Sequence, residues 1–111
     1  MAGGHPTDAE REAGALPVLL AVVGAARTGD ADTLRQSYAD DAVWLAPAGT
    51  LHGADAAAAR HLEIAALAEE WDEPQQQGAK AALRWTAGGG GTRGAVVVEV
   101  RRGRIIFAAE G

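Results

Sequence analysis

Apolar positions along this chain fall into two regimes. Up to about residue 70 they recur mainly at helical spacing, interrupted by one strand-like run at 42–47; beyond it they alternate or run together as strands do. Leu16, Leu19, Leu20 and Val23 have the spacing of one helix face. Ahead of them, "TDAE" (7–10) has the form of a capping box, in which Thr7 and Glu10 bracket the first free N–H groups. Gly14 and Pro17 interrupt this pattern, so the helix is expected to start late, with Pro17 in its first turn. "TGD" (28–30) ends it, and Asp30 is placed to cap a second, shorter helix reaching about Tyr38. "ADD" closes that helix, "AVWLAP" reads as a strand, and "AGTLHG" as a turn or tight hairpin. Residues 54–70 contain no Gly or Pro and are rich in Ala and Leu, which predicts the longest helix of the chain.

The remainder is strand-like. "EWDEPQQQ" (70–77) is a weak strand that Pro74 restricts to an edge or bulge. "AKAALRWT" (79–86), "GAVVVEV" (94–100) and "RIIFAAE" (104–110) are stronger, joined by the loop "AGGGGTR" and the turn "RRG". Helices first and a meander after predict an α+β domain, with helices on one face of an antiparallel sheet. Residues 1–6 are expected to be a flexible tail and 7–111 a single domain, a length that suits one core.

Composition narrows the classes of partner. The formal net charge is −5, which argues against nucleic acid or an anionic membrane, since both call for a basic surface. The absence of Cys excludes disulfides, thiolate metal sites and Cys nucleophiles. Three scattered His without paired spacing give no metal site, and no cofactor motif is present; the glycines at 88–91 are followed by neither a helix nor a Lys, so they are a hairpin tip. "ALPVLLAVVGAA" (15–26) is apolar like a signal-peptide core, but acids outnumber bases before it and it is too short to span a bilayer. A cytoplasmic protein is expected.

The series "GD…L…YADDAVW…P.G…HG", with "GRIIFAAEG" at the end, resembles the NTF2-like superfamily over roughly residues 14–111. That group includes SnoaL-like polyketide cyclases, ketosteroid isomerases and limonene-epoxide hydrolases. The resemblance implies a cone in which three helices and a curved sheet enclose an apolar pocket, and a homodimer through the outer face of the sheet. It is weak for function, because the scaffold hosts many chemistries. The positions that match the isomerase's base and oxyanion donors hold Ala46, Val22 and Val97, none of which can play those roles, so the resemblance does not imply steroid isomerisation. The epoxide hydrolase needs an Asp-Arg-Asp network; Arg84 is suitably placed, without an Asp pair. The SnoaL-like group remains.

Candidate chemistry follows from strand parity. If Val97 points into the pocket, as the resemblance implies, Glu99 does too, and a carboxylate in an apolar cone has a raised pKa suited to acid/base work. Val96, Val98 and Val100 then form an outward apolar stripe, extended by Ile106, that pairs two subunits. A one-residue slip reverses both expectations together. His61, on the long helix, is a second candidate base; His52, near the pocket mouth, is a lesser one, and Tyr38 is read as packing. Trp44, Trp85 and Trp71, with Arg84, are the candidate substrate-binding residues, for a small apolar ligand taken without a cofactor. The activity the resemblance implies is that of a cofactor-independent cyclase, isomerase or hydrolase; the alternative is a non-catalytic module that binds a ligand or a protein.

Overall fold

The computed structural model describes residues 8–89 and 91–111. The expected tail at 1–6 and the Thr7 side of the capping box lie outside them. Three helices, α1 (Asp8–Thr28), α2 (Ala31–Ser37) and α3 (Ala54–Leu67), are joined by seven strands. These are β1 (Tyr38–Ala46), β2 (Gly49–His52), β3 (Glu70–Trp71), β4 (Gln75–Gln77), β5 (Lys80–Ala87), β6 (Thr92–Arg101) and β7 (Arg104–Glu110). The architecture is the expected α+β cone: a curved, unclosed sheet with helices against its inner face.

The helices depart from expectation in two ways. Pro17 lies inside α1 and does not start it. Proline in a helix interior removes one hydrogen bond and costs about 3 kcal/mol in isolation. Here Ala13, the residue whose carbonyl loses its donor, and Pro17 itself are both exposed, so water satisfies the break. The buried stripe Ala15, Leu19, Val22, Val23 and Ala26 continues across it. Leu16 and Leu20, grouped with that stripe by spacing, are instead exposed at 41% and 54%. The longest helix is therefore α1, not α3, which ends at Leu67 because Glu70 and Trp71 are drawn into pairing with Thr86 and Trp85. Asp30 caps α2 as expected, accepting from the Thr33 backbone N–H at 3.1 Å and its hydroxyl at 2.7 Å. Arg35 of α2 pairs with Asp55 in the first turn of α3.

The sheet order is β2-β1-β7-β6-β5-β3, with β4 also on β5. It is mixed rather than antiparallel, because β7 returns beside β1 in parallel. Bulges between Tyr38 and Val43 on β1, and between Glu99 and Val100 on β6, bend it toward the helices. Strand β1 begins at Tyr38, earlier than "AVWLAP" suggested, since "YADD" arches into the sheet instead of closing α2. Pro74 separates β3 from β4 on the outer edge of β5, the position to which a residue without an N–H is confined.

The parity of β6 is the reverse of the expectation from the resemblance. Val96, Val98 and Val100 face the core, with Val96 and Val98 fully buried, whereas Val97 is 43% exposed. A strand slip of one residue moves every side chain to the other face. Glu99 therefore lies on the outer face beside Arg101, at 3.5 Å, and the valine stripe is core rather than interface.

Trp85 faces inward and packs its ring over Gly94, its cross-strand partner; a Cβ built at Gly94 would meet the indole at 2.4 Å. Gly94→Ala is expected to displace the indole and cost about 1–3 kcal/mol. Urea unfolding should show the lower midpoint and Trp emission the displaced ring; an unchanged midpoint would contradict this packing.

Candidate functional site

The inner face of α3 carries Ala54, Ala57, Ala58, His61 and Ile64. The spacing is that of a core stripe, with one imidazole in place of an apolar side chain. His61 is fully buried. Its Nδ1 is 2.7 Å from the hydroxyl of Tyr38, the residue with which β1 starts. Trp44, two positions past Ala42 on the inward parity of β1, lies with its ring centroid 5.8 Å from that of His61. Trp71 of β3 closes the other side at 5.6 Å, and its carbonyl is held by Arg27 from the end of α1 at 2.8 Å. Two helices and two widely separated strands thus bring a histidine into a box of three aromatic rings.

Burial sets the protonation of this group. It pulls the His61 pKa from 6.5 down to about 4 and pushes the Tyr38 phenol well above its ordinary value of 10. At neutral pH both are uncharged. Among the described residues the Tyr38 O–H has no acceptor other than His61 Nδ1, so with the imidazole neutral the phenol donates to Nδ1 and the ring proton is assigned to Nε2. That Nε2 and the indole Nε1 of Trp71 are both buried without a hydrogen-bond partner. A buried donor left unpaired costs roughly 1–3 kcal/mol. Two such N–H groups, on rings in contact, leave the site short of an acceptor.

A second polar unit closes the end of the core. Glu110 accepts from the Trp44 indole N–H at 2.7 Å and from Arg60 in a bidentate pair at 2.7 Å on each oxygen. Arg60 also reaches Glu63 at 3.0 Å. The Arg60 guanidinium holds the Glu110 carboxyl below its ordinary range. This clamp fixes the rotamer of Trp44, hence one wall of the aromatic box.

Of the residues proposed from sequence, His61, Trp44 and Trp71 come together. Trp85 is on the inner face but half-buried over Gly94, and its strand pairs it with Trp71. Glu99 and Arg84 do not join them: both lie on the outer parity of their strands, Arg84 exposed and Glu99 half-exposed. Glu99, the first candidate base, is therefore not in the core, since alternation carries it outward with Val97, whereas His61, the second, is. His52 is exposed on β2, the edge strand. Nothing in the sequence marks Tyr38, Arg60 and Glu110 for chemistry. Tyr38 has the spacing of a packing residue of the second helix, and nothing local signals a contact that spans 23 residues. Arg60 and Glu110 meet across 50 residues.

The model of the SnoaL-like domain matches residues 19–108. The chain belongs to the SnoaL-like family. Among solved structures, a protein from Kribbella flavida DSM 17836 is similar at 25% identity and a TM-score of 0.72, over 88% of this chain and 85% of that one. An NTF-2 like protein from Burkholderia xenovorans LB400 is 21% identical, with a TM-score of 0.72 over 91% and 84% of the two chains. A protein from Sinorhizobium meliloti, provisionally assigned to the polyketide cyclases, is 20% identical, with a TM-score of 0.68 over 86% and 94%. These likenesses place this SnoaL-like domain in the NTF2-like fold. No curated protein matches the sequence significantly. Among the described residues, no helix is long and apolar enough to cross a membrane.

The depressed pKa of His61 makes stability depend on pH with a definite sign. Between pH 6.5 and about 4 the unfolded chain takes up a proton at His61 and the folded chain does not. Stability contributed by the neutral imidazole is thus complete above pH 6.5 and is lost as pH falls toward 4, by about 3 kcal/mol at about 1.4 kcal/mol per unit. The variant carrying both Tyr38→Phe and His61→Leu should lose this slope while remaining folded. Chemical denaturation at a series of pH values checks it; an identical slope in both proteins would contradict a neutral buried His61.

Proposed function

We propose that this SnoaL-like domain binds a small apolar ligand carrying one hydrogen-bond acceptor, a carbonyl oxygen, within the box formed by Tyr38, Trp44, His61 and Trp71. The single observation behind this reading is the pair of buried, unpartnered donors, His61 Nε2 and Trp71 Nε1. A carbonyl oxygen accepts two hydrogen bonds and so answers both donors, while the rings of Trp44, Trp71 and Tyr38 supply flat apolar walls. Trp71 is carried by β3, which has two residues only, and its displacement is the proposed way in.

The Tyr38–His61 bond of 2.7 Å favours a second reading, a cofactor-independent cyclase or isomerase. In that reading His61 polarises the carbonyl, and Tyr38 holds the imidazole tautomer that does so. Catalysis through Glu99 is not part of either reading.

The ketone 2-acetylnaphthalene tests the binding site through quenching of Trp emission. It is expected to bind more tightly than naphthalene, and Trp71→Phe, which keeps one aromatic ring but removes the indole N–H, should weaken the ketone roughly 3- to 10-fold more than it weakens naphthalene, the worth of one hydrogen bond. Equal binding of ketone and hydrocarbon, with no effect of Trp71→Phe, would sink the proposal. Turnover of a carbonyl substrate that is lost in His61→Leu with binding retained would establish the enzymatic reading.

We also propose a homodimer through the outer sheet face, using residues other than those expected from sequence. On that face Val43, Leu45, Val97 and Phe107 lie on neighbouring strands, with Val43 paired to Phe107 and Val97 to Ala109. Leu45 and Val97 are about two-fifths exposed, a contiguous patch that association would cover. Val97→Glu is expected to yield a folded monomer from a dimeric wild type, measured by light scattering with circular dichroism in parallel. A wild type monomeric at high concentration would refute the dimer.

A further inference from the structure

A groove of about 550 Å³ lies at the hairpin end of the sheet, lined by Ala39, Asp41, Arg101, Arg102, Arg104 and Ile106. It follows from a mismatch in strand lengths. On β1 the register passes from Tyr38↔Ile105 directly to Val43↔Phe107, so residues 39–42 face the single residue Ile106. On the other side of β7, Val100 pairs with Ile105 and Glu99 with Phe107, so Ile106 is unmatched there too. The strands part, and the space between them is the groove.

The chemistry of its wall is unusual for a chain of net charge −5. Arg101 and Arg104 are direct cross-strand partners, and like charges placed opposite one another destabilise a hairpin. Between them Arg102 sits at φ 53°, in the left-handed region, followed by Gly103 at φ 78°. That conformation is costly for a long side chain where Asn, Asp or Gly would adopt it readily. Little in the protein compensates. Arg101 lies 3.5 Å from Glu99 and Asp41 shares the groove, but among the described residues Arg102 and Arg104 make no ion pair. The lining thus keeps an excess of positive charge in forked guanidinium groups, beside an apolar floor of Ile106 and Ala39.

We propose that this groove binds the phosphate group of a small organic phosphate. Guanidinium forks match phosphate oxygens in a bidentate manner, and several of them suit a dianion better than a single carboxylate. Ile106 and Ala39 take the apolar part of the ester. The volume fits a small molecule rather than a bare ion. An anion in the groove relieves the repulsion between Arg101 and Arg104, which gives the strained arginine hairpin a purpose. The site is separate from the aromatic box, and neither proposal depends on the other.

Phenyl phosphate is the probe, titrated at constant ionic strength while backbone amide resonances are followed by NMR. Saturable shifts are expected at residues 101–104 and at Asp41. Phenol and matched sodium chloride should not produce them. The variant carrying both Arg102→Gln and Arg104→Gln, checked for an unchanged fold by circular dichroism, should weaken binding about tenfold or more. Shifts that never saturate, an equal response to phenol, shifts confined to residues around His61, or undiminished affinity in the double variant would each overturn the proposal.

Discussion

The hydrogen bond between Tyr38 and His61 ties the start of β1 to the middle of α3 inside the core. Tyr38 is the hinge between α2 and β1, and it pairs in the sheet with Ile105 at the start of β7. His61 is the one polar side chain in the inner stripe of α3 apart from alanine and isoleucine neighbours. Burying an imidazole in an apolar core is unfavourable unless it stays neutral and finds a partner. The phenol supplies that partner, and burial supplies neutrality. Because the bond has a short reach, the start of β1 and the middle of α3 must be held in one arrangement. The rings of Trp44 and Trp71 then have fixed surfaces to pack against.

The second polar unit works at the other end of the same strand pair. Arg60 precedes His61 on α3, so the residue that projects toward β7 and the residue that projects into the core are consecutive. Glu110, near the end of β7, takes both the guanidinium fork and the Trp44 indole. A carboxylate left without those donors in so enclosed a position would be costly. The parallel alignment of β1 and β7 makes the arrangement feasible, since it brings Trp44 beside Ala108, two residues before Glu110. A helix, a central strand and the last strand are thereby locked around the aromatic box. The two unpaired N–H groups remain inside it as the part of the core that its own chain does not complete.

The outer face and the hairpin end show how strongly a single parity choice matters. Once Val96, Val98 and Val100 turn inward, Val97 and Glu99 must turn out. An acidic side chain then sits among arginines at the sheet surface instead of among tryptophans in the core. The bulges that curve the sheet also open the groove beside Ile106. Curvature for the core and a charged recess at the edge have the same origin.

Local sequence determined the elements themselves: the Asp30 cap, the edge position forced by Pro74, the alternating runs of β5 to β7, and the Gly- and Pro-free stretch of α3. These suffice for an α+β domain, because caps, breakers and periodicity act within a few residues; the cone itself is what the resemblance carried by "GD…YADDAVW" implies. His61 and Trp44 are legible as pocket-facing residues only through that resemblance, which aligns the long helix and the parity of Ala46 with a pocket wall. Tertiary structure decided the rest. A helix carries Pro17 in its third turn only because a continuous buried stripe outweighs the missing hydrogen bond, and that stripe needs the sheet beneath it. The face taken by Glu99 is a choice between two registers that look alike in sequence, settled by which valines the core accepts. The partners of Tyr38, Arg60 and Glu110 lie 23 to 50 residues away. Contacts at that separation leave no mark in local spacing, since they exist only once β7 has come to lie parallel to β1.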